Sequence, residues 1–228
     1  MDIAYGAVFV IIALATYFLY AEGAIVQLVA TAFVLLWGTR LSVRIFLKNK
    51  GKQEDWRYHS WRIEWSVRGR WYFLLRSYIQ IYLIQGFIIF LVSLPVVLIN
   101  VSPYVDWNIA SLFGVAVWIV GFLFETIADF QLDRFMQNPA NKGRIMTEGL
   151  FRYSRRPNYF GESTMWWGMA LIALSNPFAW VAVVSPAVIT YIVVSITGPL
   201  LERGWRDNPE YQSYKAKTSY FIPWFPKA

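Results

Sequence analysis

A 39-residue stretch, 163–201, contains no charged side chain, and a 29-residue stretch, 77–105, contains none either. No water-soluble helix pattern tolerates runs of that length, because a surface helix must show a polar face every turn. The runs therefore belong in a bilayer, where about 20 apolar residues cross the hydrocarbon core. Composition agrees: 57% of the 228 residues are hydrophobic and only 15% are charged. There are no cysteines and one histidine, His59. That excludes disulfides, thiolate zinc and iron–sulfur sites, and His-rich metal centres, so no metal is expected.

The order of the runs predicts an all-α, polytopic membrane bundle of about six transmembrane helices with interfacial helices, forming one integral membrane domain over 1–228. Residues 3–20 form the first helix; they lack the basic start and polar follow-on of a secretory leader. A second runs past Gly23 through Trp37 and ends in Arg40 and Arg44. A third spans Ser77 to Ile99, and a fourth spans Asp106 to Asp129. The 39-residue run is too long for one crossing, and Asn176-Pro177 supplies a turn near its middle, so it reads as a hairpin of helices five and six. Pro186 is expected to kink the sixth helix and Gly198-Pro199 to end it.

Basic residues test this threading, since lysine and arginine are retained on the cytosolic side. Arg40 and Arg44 end helix two, and eight more lie in 48–76, six in 134–156 and five in 203–227, which accounts for all 21. The turns on the opposite side carry none. Both termini are thereby placed in the cytosol, and the net charge of +7 belongs to one face. Positive charge beside membrane spans favours anionic head groups or ligands over nucleic acid. Between helices two and three, Trp56, Trp61, Trp65 and Trp71 among seven cations read as an interfacial segment.

Ionisable side chains beside spans mark function by default. Glu125 and Asp129 are one helical turn apart at the expected cytosolic end of helix four. Asn158 and Glu162 share a face at the start of helix five. Between them, 142–162 reads KGRIMTEGLFRYSRRPNYFGE, with Arg144, Arg152, Arg155 and Arg156 able to fork onto phosphate. The start of helix five adds a favourable dipole. Taken alone, each carboxylate is equally compatible with facing cytosolic water. Together they read as a cradle for a polar, anionic ligand.

This segment resembles the C-terminal domain of the steroid 5-alpha-reductase superfamily, and most closely its bacterial DUF1295 members. The shared residues are Gly149, Arg152-Tyr153-Ser154-Arg155, Pro157-Asn158-Tyr159 and Gly161-Glu162. The closing stretch, Leu200-Leu201-Glu202 with Pro209, Tyr211, Tyr214, Thr218 and Ile222-Pro223-Trp224, is similar to the same family. So are Trp37-Gly38-Thr39-Arg40 and Glu54-Asp55-Trp56-Arg57-Tyr58. The resemblance implies an oxidoreductase in the bacterial inner membrane that binds NADPH from the cytosol. Its substrate would be a conjugated carbon–carbon double bond in a steroid-like or other apolar lipid.

The same resemblance implies cofactor contacts at Arg40, Glu125, Asp129, Arg144, Arg152, Tyr153, Arg155, Asn158, Tyr159, Glu162, Glu202 and Tyr214. Two positions depart from the pattern. Glu125 stands where steroid reductases usually carry an amide, and Trp37 stands where they carry a tyrosine. An enolate forming during hydride transfer needs a donor, for which Tyr5, Tyr17, Tyr20 and Trp37 are the candidates. The rival reading is an S-adenosylmethionine-dependent methyltransferase resembling isoprenylcysteine carboxyl methyltransferases. Those enzymes usually read Arg-His-Pro, where this chain has Arg155-Arg156-Pro157. A non-enzymatic membrane protein is the third.

Overall fold

The computed structural model describes residues 2–50, 62–103, 106–176 and 178–227. It is helical throughout, and an isolated bridge between Ser154 and Ser219 is the β-type pairing it shows. Two compact units divide it, Met1–Pro103 and Tyr104–Ala228. Trp56, His59, Trp61 and Pro177, singled out in the sequence, lie outside the described residues.

The first unit holds α1 (Asp2–Tyr20), α2 (Ile25–Asn49) and α3 (Arg70–Val101). Helices α1 and α2 form an antiparallel hairpin whose turn contains Gly23 at a φ of +87°, a left-handed conformation that favours glycine. They approach closely at Gly6 and Gly38, where a Cβ on Gly38 would come within 2.7 Å of the Gly6 carbonyl oxygen. At the other end a buried polar clasp ties all three helices together. Gln27 Nε2 donates to the carbonyls of Ile99, Asn100 and Ser102 at 3.2–3.3 Å, and its Oε1 accepts from the backbones of Glu22 and Ala24. Asn100, wholly buried, donates to Ala13 O, Thr16 Oγ1 and Thr31 Oγ1 at 3.0–3.2 Å. Buried amides are tolerated because their bonds are made.

The second unit holds α4 (Ile109–Gln137), α5 (Pro157–Ile172), α6 (Ala179–Trp205) and α7 (Pro209–Lys217). A reciprocal capping box starts α4: Asn108 Oδ1 accepts from Ser111 N, and Ser111 Oγ accepts from Asn108 N, each at 2.8 Å. Two glycine pairs set the α4–α5 register. Gly114 lies on Gly168 and Gly121 on Gly161, with members seven positions apart on each helix, so the helices run antiparallel with backbones nearly touching. The outward side of α4 is apolar, with Leu112, Phe113, Val120, Leu123, Ile127 and Phe130 exposed. Such an inside-out pattern suits lipid rather than water.

Helices α2, α3, α4 and α6 are long and apolar enough to cross a membrane, whereas the apolar stretch Ala4–Tyr20 of α1 and the 16-residue α5 are shorter. Several expected boundaries shift. Helix α3 begins at Arg70 rather than Ser77, because Arg70 and Arg76 point outward and so do not interrupt the helix. Helix α4 continues eight residues beyond Asp129, which places Glu125 and Asp129 inside the helix instead of at its end. A short 3-10 turn, Ala173–Ser175, follows α5 and leads to Asn176, where the sequence places the hairpin turn. Helix α6 breaks at Val183, one turn before Pro186, consistent with the carbonyl that proline cannot serve.

Helix α6 also passes through Gly198-Pro199, which had been expected to end it. A wide π-type turn, Ile192–Thr197, precedes that proline. In such a turn the missing N–H of Pro199 would have served Val194. Tyr220 OH takes its place, donating to Val194 O at 2.7 Å.

Candidate functional site

The glycine register determines what surrounds the acidic pair. The buried side of α4 reads Gly114, Trp118, Gly121, Glu125, Ala128 and Asp129, a stripe that packs on α5. A Cβ on Gly161 would collide with the backbone nitrogen of Glu125 and lie 2.7 Å from Gly121 O. Glu125 therefore sits against the first turns of α5, with Asp129 one turn further along. They are 4% and 3% exposed, and both engage protein partners. Asn158, Tyr159 and Glu162 occupy the start of α5 and are half-buried. Pro157 opens that helix, and its fixed φ suits the first helical position. The structure thus gathers Glu125, Asp129, Asn158, Tyr159 and Glu162 about one α4–α5 seam.

Carboxylates in such a seam need compensation. The start of α5 supplies a partial positive charge, and the residues before it supply guanidinium groups. Arg156 lies with its guanidinium 6.0 Å from the Tyr159 ring, and its Nε is buried with no hydrogen-bond acceptor. Arg155 Nη1 is likewise buried without an acceptor. Thr126 Oγ1, beside Glu125 in sequence, is a third buried polar atom lacking a partner. Two guanidinium nitrogens without acceptors, on the residues that lead into a helix N-terminus, form a setting for an anion.

The remaining predicted residues separate into groups. Arg155, Glu202, Tyr153 and Tyr214 come together, but mainly to fasten the loop before α5 to the chain's end. Arg155 Nε faces Glu202 Oε1 at 3.6 Å, Lys215 lies 3.9 Å from the same carboxylate, and the Arg155 guanidinium stacks 5.0 Å from the Tyr220 ring. Tyr214 OH donates to Phe151 O at 2.5 Å, and Tyr153 O accepts from Trp224 N at 2.9 Å. Ser154 Oγ donates to Phe221 O, and Arg155 N to Ser219 O. Burial pushes the Tyr211 and Tyr214 phenols well above their ordinary ionisation, and a hydrogen bond from Tyr211 to Glu202 reinforces the first. Arg144 and Arg152 are exposed.

Arg40 and the four proton-donor candidates belong to the first unit. Trp37 is buried edge-on against Phe9 at 5.4 Å, and Tyr5 packs on the same ring at 5.1 Å. Tyr5 adjoins the Gly6–Gly38 approach, the end of the hairpin that carries Arg40. Tyr17 and Tyr20 lie at the opposite end beside the Asn100 clasp, and Tyr20 is exposed.

One feature escaped sequence reasoning. The loop after α4 folds back on the helix: Gln131 Oε1 accepts from Leu150 N and Asn141 Nδ2 donates to Phe135 O, both at 2.9 Å. Gly149, at a φ of +60°, presses on the Gln131 amide, where a Cβ would collide. A cleft of about 600 Å³ remains, lined by Gln131, Arg134, Phe135, Asn141, Met146 and Glu148. The only available signal was the amide-rich stretch around Asn138-Pro139, where α4 stops.

A family model described as "Protein of unknown function (DUF1295)" matches residues 1–218. The chain belongs to that family. Its DUF1295 membership agrees with the membrane-helix architecture. It is also similar to 3-oxo-5-alpha-steroid 4-dehydrogenase 1 of mouse, cattle and rat, at 38%, 40% and 38% identity over 73 residues. Those 73 residues are 31% of this chain and 28% of each relative, so the similarity spans less than a third of the relatives' length. No solved structure matches.

Proposed function

We propose that the chain is a membrane-embedded, NADPH-dependent reductase of a conjugated carbon–carbon double bond in a steroid-like or other flat, apolar lipid. The observation that carries this reading is the α4–α5 seam: buried Glu125 and Asp129 held by glycine contacts against the start of α5, with unsatisfied guanidinium donors on Arg155 and Arg156. Similarity to the steroid dehydrogenases over 73 residues supports an oxidoreductase over the methyltransferase reading. The threading adopted is six spans with both termini and the seam on the cytosolic side, as the lysine and arginine distribution favours. That side gives a water-soluble nucleotide access, while the substrate enters from lipid.

Arg155 and Arg156 fit phosphate oxygens, and Asp129 and Glu162 fit ribose hydroxyls or a carboxamide, as acidic residues do in soluble dinucleotide folds. Arg40, Arg144, Arg152, Tyr153, Tyr159, Glu202 and Tyr214 complete the proposed contact set, with Glu202 and Tyr214 acting mainly through the fastening of Arg155. NADPH would supply the hydride. The chain's own task is to polarise the substrate carbonyl and place a proton on the enolate oxygen. Tyr5 is the best placed of the candidates, since it shares the Arg40 end of the α1–α2 hairpin.

The test is ligand-induced stabilisation of purified protein. NADPH at a hundred times its dissociation constant adds about 2.7 kcal/mol to stability, so its melting temperature rises, while S-adenosylmethionine leaves it unmoved. Asn158→Ala and Glu162→Ala each reduce the NADPH response while preserving the unliganded melting temperature within a few degrees. Stabilisation by S-adenosylmethionine alone transfers the seam to the methyltransferase reading.

A further inference from the structure

At the start of α3, well removed in sequence from the α4–α5 seam, Tyr72 is gripped by two arginines. Arg68 Nη1 donates to Tyr72 OH at 3.1 Å, and Arg76 Nε donates to the same oxygen at 3.2 Å. Both guanidinium groups also pack on the ring, 5.2 and 5.7 Å from its centre. Their bonding nitrogens consequently lie no more than 6.3 Å apart, the sum of the two bond lengths. Among the described residues neither arginine has a carboxylate within ion-pair distance. Glu64 acts on Arg76 more weakly than Tyr72 does.

The arrangement is built rather than incidental. Arg76 reaches Tyr72 along the helix, four residues on. Arg68 precedes the helix and can fold back over the same ring only because Gly69 turns the chain at a φ of +100°. A Cβ on Gly69 would touch nothing within 4 Å, so it is the backbone angle that favours glycine there. Two cations directed at one neutral oxygen repel each other, and both arginines are exposed. The geometry is completed by an anion with two or more oxygens bridging the pair.

Location identifies the anion's source. From Ser77 to Val101, α3 carries no charge over 25 residues, more than the about 20 needed to span the hydrocarbon. Arg76 thus marks the edge of the apolar core, with Tyr72 one turn outside it. Trp71, 84% exposed, and Leu75, 59% exposed, flank the clamp on the helix surface. Exposed indole at this depth is an interfacial anchor.

We propose that Arg68 and Arg76, oriented by Tyr72, bind the phosphodiester head group of an anionic membrane lipid. This site is independent of the reductase reading. Free inorganic phosphate presents similar oxygens, but it has no acyl chains to lie along the exposed apolar face beyond Arg76.

The full chain, purified in neutral detergent, is titrated with phosphatidylglycerol, phosphatidylcholine or inorganic phosphate and followed by native mass spectrometry and melting temperature. Phosphatidylglycerol is expected to bind and stabilise, and the other two are not. The double variant Arg68→Gln/Arg76→Gln weakens phosphatidylglycerol binding about thirtyfold, the effect of two near-surface charges, with its melting temperature in phosphatidylcholine unchanged. Tyr72→Phe keeps both charges and loses the shared acceptor, so binding weakens a few-fold. Arg203→Gln/Arg206→Gln, removing two exposed cations elsewhere, leaves binding intact. Equal stabilisation by inorganic phosphate, equal loss in the Arg203/Arg206 control, or unchanged binding in the Arg68/Arg76 or Tyr72 variants overturns the proposal.

Discussion

Adding one methyl group at Gly161 tests how the proposed site is held together. A Cβ there would lie 2.7 Å from Gly121 O and 2.8 Å from Glu125 Cα. The closest approach is to Glu125 N, and ordinary contact begins near 3.4 Å, so α4 and α5 must part by about 1 Å, at an overpacking cost of about 1–3 kcal/mol. The separation falls at Glu125, on the turn of α4 that packs against the α5 turn carrying Asn158 and Glu162. A misplacement of this size costs up to about 100-fold in a site that depends on positioning. Gly168 supplies the control. Its Cβ would meet Trp118 N at 2.6 Å and Gly114 O at 2.7 Å, the same collision seven residues, or about 10 Å, further along the seam. Gly161→Ala and Gly168→Ala are therefore expected to lose similar stability in thermal melts, while NADPH affinity, read by nucleotide fluorescence or melting shift, falls at least tenfold only in Gly161→Ala. Equal affinity loss in both variants, or retained affinity in both, refutes the idea that the glycine register positions a cofactor site.

Two further outcomes concern stability. Asn100→Ala removes three inter-helix contacts from the α1–α2–α3 clasp; at about 0.6 kcal/mol each within a membrane, the loss is about 2 kcal/mol, measurable by denaturant titration in mixed micelles. Raising the pH should also destabilise the protein. Tyr211 and Tyr214 ionise above their ordinary value of 10.0 when folded, so they stabilise fully below pH 10 and lose that contribution as pH rises toward their folded values. Melting temperature should fall more steeply between pH 10 and 11.5 in the native chain than in Tyr211→Phe.

Charge and apolar run length made the helices legible in the sequence, because a bilayer admits few alternatives. Boundaries were less legible where charge was treated as a stop. Arg70 and Arg76 sit within a helix, since an exposed side chain near the interface places its charge in water without ending the helix, and Asp133 sits within α4 half-buried with a protein partner. Gly198-Pro199 misled for a different reason: the vacant acceptor at Val194 is served by Tyr220, 26 residues later, a compensation no local pattern contains. The Gln27–Asn100 clasp was equally hidden, as its inter-helix partners are 69 or more residues apart and the amides look like ordinary turn residues. At the site, the i, i+4 spacings of Glu125–Asp129 and Asn158–Glu162 were readable, but their meeting was not. Gly121 and Gly161 set that register, and a glycine's neighbours cannot be read from its own helix.

The same register decides whether the acidic seam is better understood as structure or as a site. Each buried carboxylate carries an effective desolvation penalty of several kcal/mol, whereas a helix N-terminus returns about 0.3–1 kcal/mol to a nearby negative charge, and up to about 2 in a partly buried setting. The start of α5 therefore does not balance both Glu125 and Asp129, and their protein partners must supply the rest. If structure were the whole purpose, apolar residues continuing the Gly114–Trp118–Gly121 stripe would stabilise the seam at less cost, as they do when buried ion pairs are replaced. The unsatisfied donors on Arg155 and Arg156 add to that cost. A chain that keeps buried acids on this seam, and guanidinium nitrogens without acceptors just before α5, retains stability it has not used, and binding a group with both phosphate and hydroxyl functions is what would recover it.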